Sequence, residues 1–273
     1  MPDHITSHPD QDALIAVAHA LADAARPVTL RHFRAPSLIA DNKDAGKQGG
    51  GFDPVTIADR AAEAAMRKIL ARDRPDDAIL GEEYGTTPGT TGLTWVLDPI
   101  DGTRGYISGT PTWGVLISVR DASGPLFGLI DQPYIGERFV GGFGQTSVSG
   151  PQGTAALGVR ATASLSQATV MTTFPEVGTP DERAAFSAVA SQARLTRYGM
   201  DCYAYALLAA GQVDLVIEAG LNAYDIQAPI AVITAAGGIV TDWQGGPVHD
   251  GGRALAAATP ALHGAALALL NGG

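Results

Sequence analysis

The stretch WVLDPIDGTRGYISGTPTWG, residues 95–114, ends an apolar run with two aspartates, Asp98 and Asp101, on either side of a Pro-Ile pair. Because proline cannot extend the hydrogen-bonded ladder of a central strand, the pattern predicts a strand that stops here with both carboxylates at its end. Gly102 permits close approach of a ligand, and the amides of Gly102 and Thr103 can form an anion-binding concavity. Such a turn can hold a cation and a phosphate together.

The same residues also fit an ordinary turn, because Asp-Pro and Asp-Gly are common turn dipeptides, and on their own they favour that interpretation. Two other acids shift the balance. Glu82 follows an apolar run in AILGEEYG, and Asp225 stands at the start of a largely apolar helix, where an acid is commonly only a cap. Together with Asp98 and Asp101 they give four carboxylates at element ends without histidine or thiolate, a set that suits Mg2+ better than zinc.

Composition limits the classes of partner. The chain has 273 residues with 45% hydrophobic content, enough to bury a sizeable core, and a formal charge of −10, which disfavours nucleic acid as a partner. The single cysteine, Cys202, excludes an internal disulfide and fits a reducing compartment. The polar N-terminus lacks the features of a signal peptide, and no uninterrupted apolar run approaches membrane-spanning length. We therefore expect a soluble, cytoplasmic protein without a membrane partner.

Periodicity predicts mixed helices and strands. Apolar positions at helical spacing predict a helix over 11–33, which Pro27 is expected to kink or end. Thr56 and Asp59 have the form of a capping box before a second helix. The remaining predicted segments are a Gly-rich loop (45–54), strands across 94–144, a crossing between halves (145–166), short strands alternating with helices near 181–194, 202–210 and 225–236, and a closing C-terminal helix.

Four motifs carry a family resemblance: VTIAD (55–59), GEE (81–83), WVLDPIDGT (95–103) and YDIQAPIAVITAAGG (224–238). The chain resembles the inositol monophosphatase superfamily, and within it the histidinol-phosphatases, through DPIDGTRGYISGTPTWGVLI, GLIDQPYIGERFVGG and YGMDCYAYALLAAGQVDLVIEAGLNAYD. The resemblance implies an α+β fold, the αβαβα five-layer sandwich of the inositol monophosphatase / fructose-1,6-bisphosphatase type, and a homodimer. Residues 1–155 would form an N-terminal α+β subdomain carrying most metal ligands, and residues 156–273 a C-terminal α/β subdomain carrying the last ligand and the substrate contacts.

The resemblance also implies roles for single residues. Glu82, Asp98 and the Ile100 carbonyl would hold one Mg2+, Asp98, Asp101 and Asp225 a second, and a third ion would join near Glu82, giving two to three ions per site. The Gly102 and Thr103 amides would meet the phosphate. Asp59 would hydrogen-bond the Thr103 hydroxyl and help to deprotonate a metal-activated water, although the capping box gives Asp59 a structural role as well.

The implied substrate is histidinol phosphate, hydrolysed to L-histidinol and phosphate in histidine biosynthesis. Its ammonium and imidazole groups call for carboxylates beyond the metal ligands, and the candidates are Asp201, otherwise an N-cap, and Glu218, otherwise a surface acid. Arg104 and Arg197 are candidates for contact with the substrate or a neighbouring subunit, whereas Tyr203 and Tyr205 are interpreted as packing residues.

Two departures from the family pattern and two other functions stay open. Tyr224 stands where the relatives usually have Trp, and Lys43 and Lys47 compete for the place of a family loop lysine. The alternative activity is an inositol or broad sugar-alcohol phosphatase. The alternative of another class is a catalytically silent scaffold that binds a phosphometabolite, which the presence of both Asp59 and Thr103 disfavours.

Overall fold

The computed structural model describes residues 10–36, 38–42 and 54–272. The Gly-rich loop expected at 45–54 lies outside the described residues except for Pro54, as do Lys43 and Lys47.

The N-terminal part places two helices against a large sheet. Helices α1 (Gln11–His32) and α2 (Ile57–Asp73) are joined through a short antiparallel pair, β1 (Ala40–Asn42) and β2 (Pro54–Thr56). The sheet contains β3 (Ala78–Gly81), β4 (Gly85–Thr87), β5 (Thr94–Asp101), β6 (Gly114–Asp121), β7 (Gly124–Gln132), β8 (Glu137–Gly142), β9 (Gln145–Gly150) and β10 (Gly153–Ala156), with helix α3 (Thr103–Ser108) between β5 and β6. Its order is β10-β9-β8-β7-β6-β5-β3-β4, and only β3 and β5 run parallel.

The C-terminal part forms a second sheet with α/β character. Its elements are β11 (Thr169–Thr172), α4 (Pro180–Ala190), β12 (Leu195–Tyr198), α5 (Cys202–Ala209), β13 (Leu215–Asn222), α6 (Ala223–Ala235), β14 (Ile239–Asp242), β15 (Gly251–Ala257) and α7 (Pro260–Leu270). The strand order is β12-β11-β13-β15-β14. Strand β11 runs parallel to both of its neighbours, and the other pairs are antiparallel.

Three apolar clusters build five layers. One joins α1 and α2 to the eight-stranded sheet, a second holds α5 and α6 between the two sheets, and a third joins the five-stranded sheet to α4 and α7. Residues 226–233 of α6 are all buried, because this helix has a sheet on each side. The order is helices, sheet, helices, sheet, helices, which confirms the predicted αβαβα sandwich.

Two local expectations were wrong, and a third was wrong in one of its alternatives. Helix α1 does not end at Pro27, because buried residues on both sides of it, such as Leu21 and Thr29, pack into the core and offset the lost hydrogen bond, while the expected kink at Pro27 stays a prediction. Strand β5 runs through Pro99 to Asp101, since its register against β6 shifts between Asp98 and Asp101 and no ladder amide is needed at the proline. The crossing expected at 145–166 contains β9 and β10, which extend the first sheet.

Helix α1 is also the one described helix that has the length and apolar composition of a membrane span. Its buried residues, among them Leu14, Ala18 and Leu21, pack against α2 and the first sheet. A core helix of a globular protein has the same composition, so α1 is accounted for by this packing.

Candidate active site

A cavity of about 360 Å³ receives side chains from both halves of the chain. Its walls include the turn after β3, the end of β5 with the start of α3, the starts of α5 and α6, and the end of β13. The cavity is lined by six of the acids that the sequence analysis singled out, namely Glu82, Asp98, Asp101, Asp201, Glu218 and Asp225. Acids from separate element ends therefore meet in one cavity.

The irregular end of β5 orients two of these carboxylates. The register shift leaves Pro99 and Ile100 without partners on β6, and the Ile100 N–H turns back to donate to Asp98 Oδ1 at 3.0 Å. The N–H of Cys202, at the start of α5, donates to Asp101 Oδ2 at 2.6 Å. Both side chains are therefore fixed by backbone amides, each through one oxygen, and each retains a second oxygen for another partner.

Asp225 completes a group of three oxygen donors. It occupies the third position of α6, where its Oδ2 accepts from the Asn222 N–H at 2.6 Å in a capping box. One oxygen from each of Asp98, Asp101 and Asp225 lies within 4.8 Å of the other two. Oxygen donors at such separations suit a hard divalent cation.

The electrostatics of the group also fit a cation. Burial raises the pKa of Asp98 well above its usual range, and the charges of Glu82, Asp101 and Asp225 raise it further. Burial and the charges of Asp201 and Asp225 likewise raise the pKa of Asp101 well above its usual range. Carboxylates crowded in this way repel one another when ionised, and a bound cation relieves the repulsion.

Glu82 and the carbonyl of Ile100 bring two further oxygen donors to the same place. The backbone N–H of Glu82 donates to Leu97 O at 3.1 Å, which ties the turn after β3 to β5, and the Glu82 carboxyl group hydrogen-bonds with that of Asp98. Ile100 lines the cavity and its carbonyl accepts from Thr103 Oγ1 at 3.1 Å.

Asp59 approaches the cavity from α2. Its Oδ1 lies 3.4 Å from Thr103 Oγ1, and its Oδ2 accepts from the Thr56 N–H at 2.9 Å and from the Thr56 hydroxyl at 2.6 Å. Burial raises the pKa of Asp59 to about 6, against the hydrogen bonds from Thr56, which lower it. The structure therefore gives Asp59 the capping interaction and a contact with Thr103 at the same time.

Gly102 packs closely against Asp201 at the wall of the cavity. Gly102 has φ +85°, in the left-handed region, and a Cβ at this position would lie 2.9 Å from both Cβ and Cγ of Asp201. Only glycine satisfies both conditions. Asp201 stands at the N-cap position of α5, yet its side chain makes no capping hydrogen bond. Burial and the charge of Glu218 raise the pKa of Asp201 to about 7, while Arg104 opposes the rise.

Glu218 is buried on β13 and held by side chains that were not expected at the site. Its Oε1 accepts from the Thr173 N–H at 3.0 Å and from the Thr173 hydroxyl, and its Oε2 accepts from the Tyr205 hydroxyl at 3.1 Å. Burial raises the pKa of Glu218 despite these hydrogen bonds. The surface-acid interpretation of Glu218 does not hold, because only 6% of the residue is exposed.

The two candidate arginines lie in different places. Arg104 lines the cavity, and its guanidinium stands over the Phe174 ring with 5.0 Å from Cζ to the ring centroid. Arg197 lies exposed on β12, the edge strand beyond β11, and is not among the residues that line the cavity. The expectation of a substrate contact at Arg197 is therefore corrected for this cavity, because the strand order separates Arg197 from β13, which carries Glu218, and its other candidate role, contact with a neighbouring subunit, stays a prediction.

Several cavity residues lacked a clear signal in the sequence. Tyr205 was interpreted as packing, but a buried tyrosine in an apolar helix needs a partner for its hydroxyl, and that rule points to a polar neighbour. Thr173 and Phe174 follow β11 with no motif to mark them. Tyr224, noted as an aromatic exchange, also lines the cavity. None of the histidines at 19, 32, 249 and 263, all within the described residues, lines it.

Comparison with known proteins places these features in a family. A profile of the inositol monophosphatase family matches residues 10–272. The bifunctional phosphatase IMPL2 of Arabidopsis thaliana chloroplasts is 43% identical over 242 residues, covering 88% of this chain and 67% of that protein. The histidinol-phosphatase of Streptomyces coelicolor is 34% identical over 281 residues, covering 99% of each. The structure of an inositol monophosphatase from Zymomonas mobilis superposes with a TM-score of 0.83 at 37% identity, covering 97% of this chain and 100% of that one.

Proposed function

The chain belongs to the inositol monophosphatase family and is a metal-dependent phosphoric monoester hydrolase, and from that premise we propose that it hydrolyses L-histidinol phosphate to L-histidinol and phosphate with Mg2+. In this proposal it serves histidine biosynthesis in the cytoplasm as a homodimer. It would be built from subdomains 1–155 and 156–273. The last strand of the first sheet ends at Ala156, and the first strand of the second sheet begins at Thr169.

The observation that carries the substrate is the pair of acids Asp201 and Glu218 beside the metal-binding group. Both are largely buried and line the cavity, and both have a raised pKa, so they favour a cationic partner. Buried carboxylates without a cation are costly, and a polyol phosphate offers only hydroxyl groups to them. The ammonium group of histidinol phosphate supplies the missing charge. Similarity to histidinol-phosphatases over nearly the whole chain supports the same substrate.

Asp98, Asp101 and Asp225, with Glu82 and the Ile100 carbonyl, would hold two to three Mg2+ ions, which would neutralise phosphate oxygens and lower the pKa of a coordinated water. The amides of Gly102 and Thr103 would donate to the phosphate, orienting the phosphorus for attack. Thr103 Oγ1 would pass the proton of the attacking water to Asp59 Oδ1. A pKa of about 6 leaves Asp59 mostly ionised at neutral pH and able to accept that proton.

An inositol or broad sugar-alcohol phosphatase is the alternative substrate class. Likeness to the Zymomonas mobilis inositol monophosphatase favours it, since the metal-binding and phosphate-binding residues would serve either substrate. The difference between the two activities then lies in Asp201 and Glu218, which do not contact the phosphate in this mechanism.

Steady-state phosphate release tests the proposal on L-histidinol phosphate, inositol 1-phosphate, fructose 1,6-bisphosphate and 3′-phosphoadenosine 5′-phosphate. We expect kcat/KM for histidinol phosphate to exceed each of the others by about ten-fold or more, because the buried carboxylates of Asp201 and Glu218 gain no ammonium partner from the other substrates. A chelator should abolish release, and Mg2+ should restore it. A comparable preference for any of the other three substrates overturns the substrate assignment.

A further inference from the structure

Glu63 is a buried charge that the proposed mechanism does not use. It lies one turn after Asp59 on α2 with none of its surface exposed. Its Oε2 accepts from the Glu83 N–H at 2.6 Å, and its Oε1 accepts from the Tyr84 N–H at 3.2 Å and from Arg67 Nε at 2.7 Å. An apolar side chain would fill this core position without the free-energy cost of desolvating a carboxylate. The hydrogen bonds that Glu63 makes therefore indicate a specific structural role.

These hydrogen bonds hold the turn that carries Glu82. The turn follows β3, and the amides of Glu83 and Tyr84 point to the Glu63 carboxylate from α2. Gly81 makes room for this approach, because a Cβ there would lie 2.0 Å from Glu63 Oε1. Arg67 holds the far side of the same turn through its bond to Gly85 O at 2.5 Å. Residues of α2 therefore hold the turn at both ends.

The held turn is one wall of the cavity. Its Glu82 side chain lines the cavity and meets Asp98, while the Glu82 N–H is bonded to Leu97 O on β5. Asp59, one turn earlier on α2, faces Thr103. One helix thus fixes the position of two functional side chains on different segments.

We propose that Glu63 is a positioning residue that fixes the 82–84 turn so that Glu82 can ligate a cation, and thereby sets the affinity of the site for Mg2+. This inference rests on the proposed role of Glu82 as a metal ligand and does not depend on which phosphomonoester is the substrate. Partners that orient metal ligands through hydrogen bonds ordinarily contribute to metal affinity in this way.

The test compares three substitutions. Glu63→Gln keeps the shape of the side chain and removes its charge, Glu82→Gln removes the ligand itself, and Asp77→Asn is the matched control. Asp77 is also a buried carboxylate, accepting from Arg74 Nε at 2.7 Å, Thr91 Oγ1 at 2.6 Å and Trp95 Nε1 at 2.9 Å, but it does not line the cavity. A purely structural role for Glu63 predicts that Glu63→Gln behaves like Asp77→Asn.

Mg2+ affinity is measured by calorimetry without substrate and as the Mg2+ concentration for half-maximal hydrolysis of p-nitrophenyl phosphate. In Glu63→Gln we expect the dissociation constant and the half-maximal Mg2+ concentration each to rise by about 10-fold or more, and Glu63→Asp to recover part of the affinity. In Asp77→Asn both values should stay unchanged, although Glu63→Gln and Asp77→Asn both lower Tm. If Glu63→Gln does not fold, the same titration on Arg67→Met decides, with a loss of about 3-fold or more expected.

The outcomes separate the inference from the proposed function. If Glu82→Gln loses Mg2+ affinity and Glu63→Gln does not, the positioning role is overturned. The same holds for Arg67→Met where that variant replaces Glu63→Gln. Unchanged affinity in Glu82→Gln instead removes the proposed ligand role of Glu82, and with it the premise of the inference.

Discussion

At the scale of single residues, Asp201 combines a strained backbone with a place at the cavity wall. It has φ +46° and ψ −138°, a sparsely populated conformation for a non-glycine residue, which costs on the order of 1–3 kcal/mol. Glycine would adopt this backbone without strain, but only a side chain can present a carboxylate beside Gly102 and Arg104. Strain retained at a cavity wall indicates that the side chain itself is needed there.

Asp201→Ala should therefore raise KM for histidinol phosphate about 10-fold or more and change KM for inositol 1-phosphate little, because only the first substrate has an ammonium group to lose its partner. Arg197→Ala is the control, since Arg197 is exposed and does not line the cavity. Steady-state kinetics on both substrates gives the comparison. Equal KM changes for the two substrates in Asp201→Ala would contradict a contact with the ammonium group and leave Asp201 only a structural role at the start of α5.

At the scale of elements, the first turn of helix α2 contains both the N-cap of the helix and Asp59, the proposed proton acceptor. The Thr56 hydroxyl accepts from the Ala58 N–H at 3.1 Å and donates to Asp59 Oδ2 at 2.6 Å, so one hydroxyl starts the helix and orients Asp59. Helix α4 begins with the same device, in which Thr179 Oγ1 accepts from the Glu182 N–H at 3.3 Å. Gly178, just before this capping box, lines the cavity, but Thr179 and Glu182 do not, so we expect the box itself to have no catalytic consequence.

Replacing each threonine separates the two roles. Thr56→Ala and Thr179→Ala should each lower the free energy of unfolding by about 0.5–2 kcal/mol, the usual effect of losing an N-cap. Only Thr56→Ala should also lower kcat, by roughly 10-fold, because Asp59 loses the hydroxyl that orients it. Denaturant unfolding and steady-state kinetics measure the two effects. A kcat unchanged in Thr56→Ala would show that the cap does not support Asp59 in catalysis.

At the scale of the whole molecule, folding brings acids from both halves of the chain into one cavity. Burial is the main cause that raises the pKa of Asp59 and Asp225 to about 6 and of Asp201 to about 7, from a usual value of 3.8. A group whose pKa is raised on folding contributes stability below its unfolded pKa, and that contribution is lost as the pH rises through the folded pKa. The metal-free protein therefore loses this contribution between pH 4 and 7.

Mg2+ should stabilise the folded protein more at pH 8 than at pH 5, because the cation binds the deprotonated carboxylates and competes with protons at the lower pH. Comparing Tm with Mg2+ and with a chelator at each pH cancels the opposite contribution of His19 and His263, whose pKa values are lowered mainly by burial. Asp98→Asn should reduce the rise at pH 8 and raise Tm in the chelator, since it removes one crowded carboxylate. The same rise at both pH values would contradict binding to ionised acids.

Much of the architecture could be predicted because its signals are local. Apolar positions at helical spacing indicated α1, and the Thr56 capping box marked the start of α2 within the first helical turn. The path of β5 through Pro99 could not be predicted, because it depends on the register of β6, which follows only after the α3 segment. The same holds for β9 and β10, whose small residues become strands by pairing with β8 and each other.

The sequence by itself determined the family and the acids at the element ends, because capping and motifs depend on residues close together in the chain, and the five-layer fold was implied by the resemblance to that family. Only the tertiary structure decided that Tyr205 and Thr173 hold Glu218, that Arg197 lies away from the cavity, and that Glu63 supports the turn of Glu82. Each of these facts is a contact, or the lack of one, between different elements, and its energy exists only after the chain has brought those elements together.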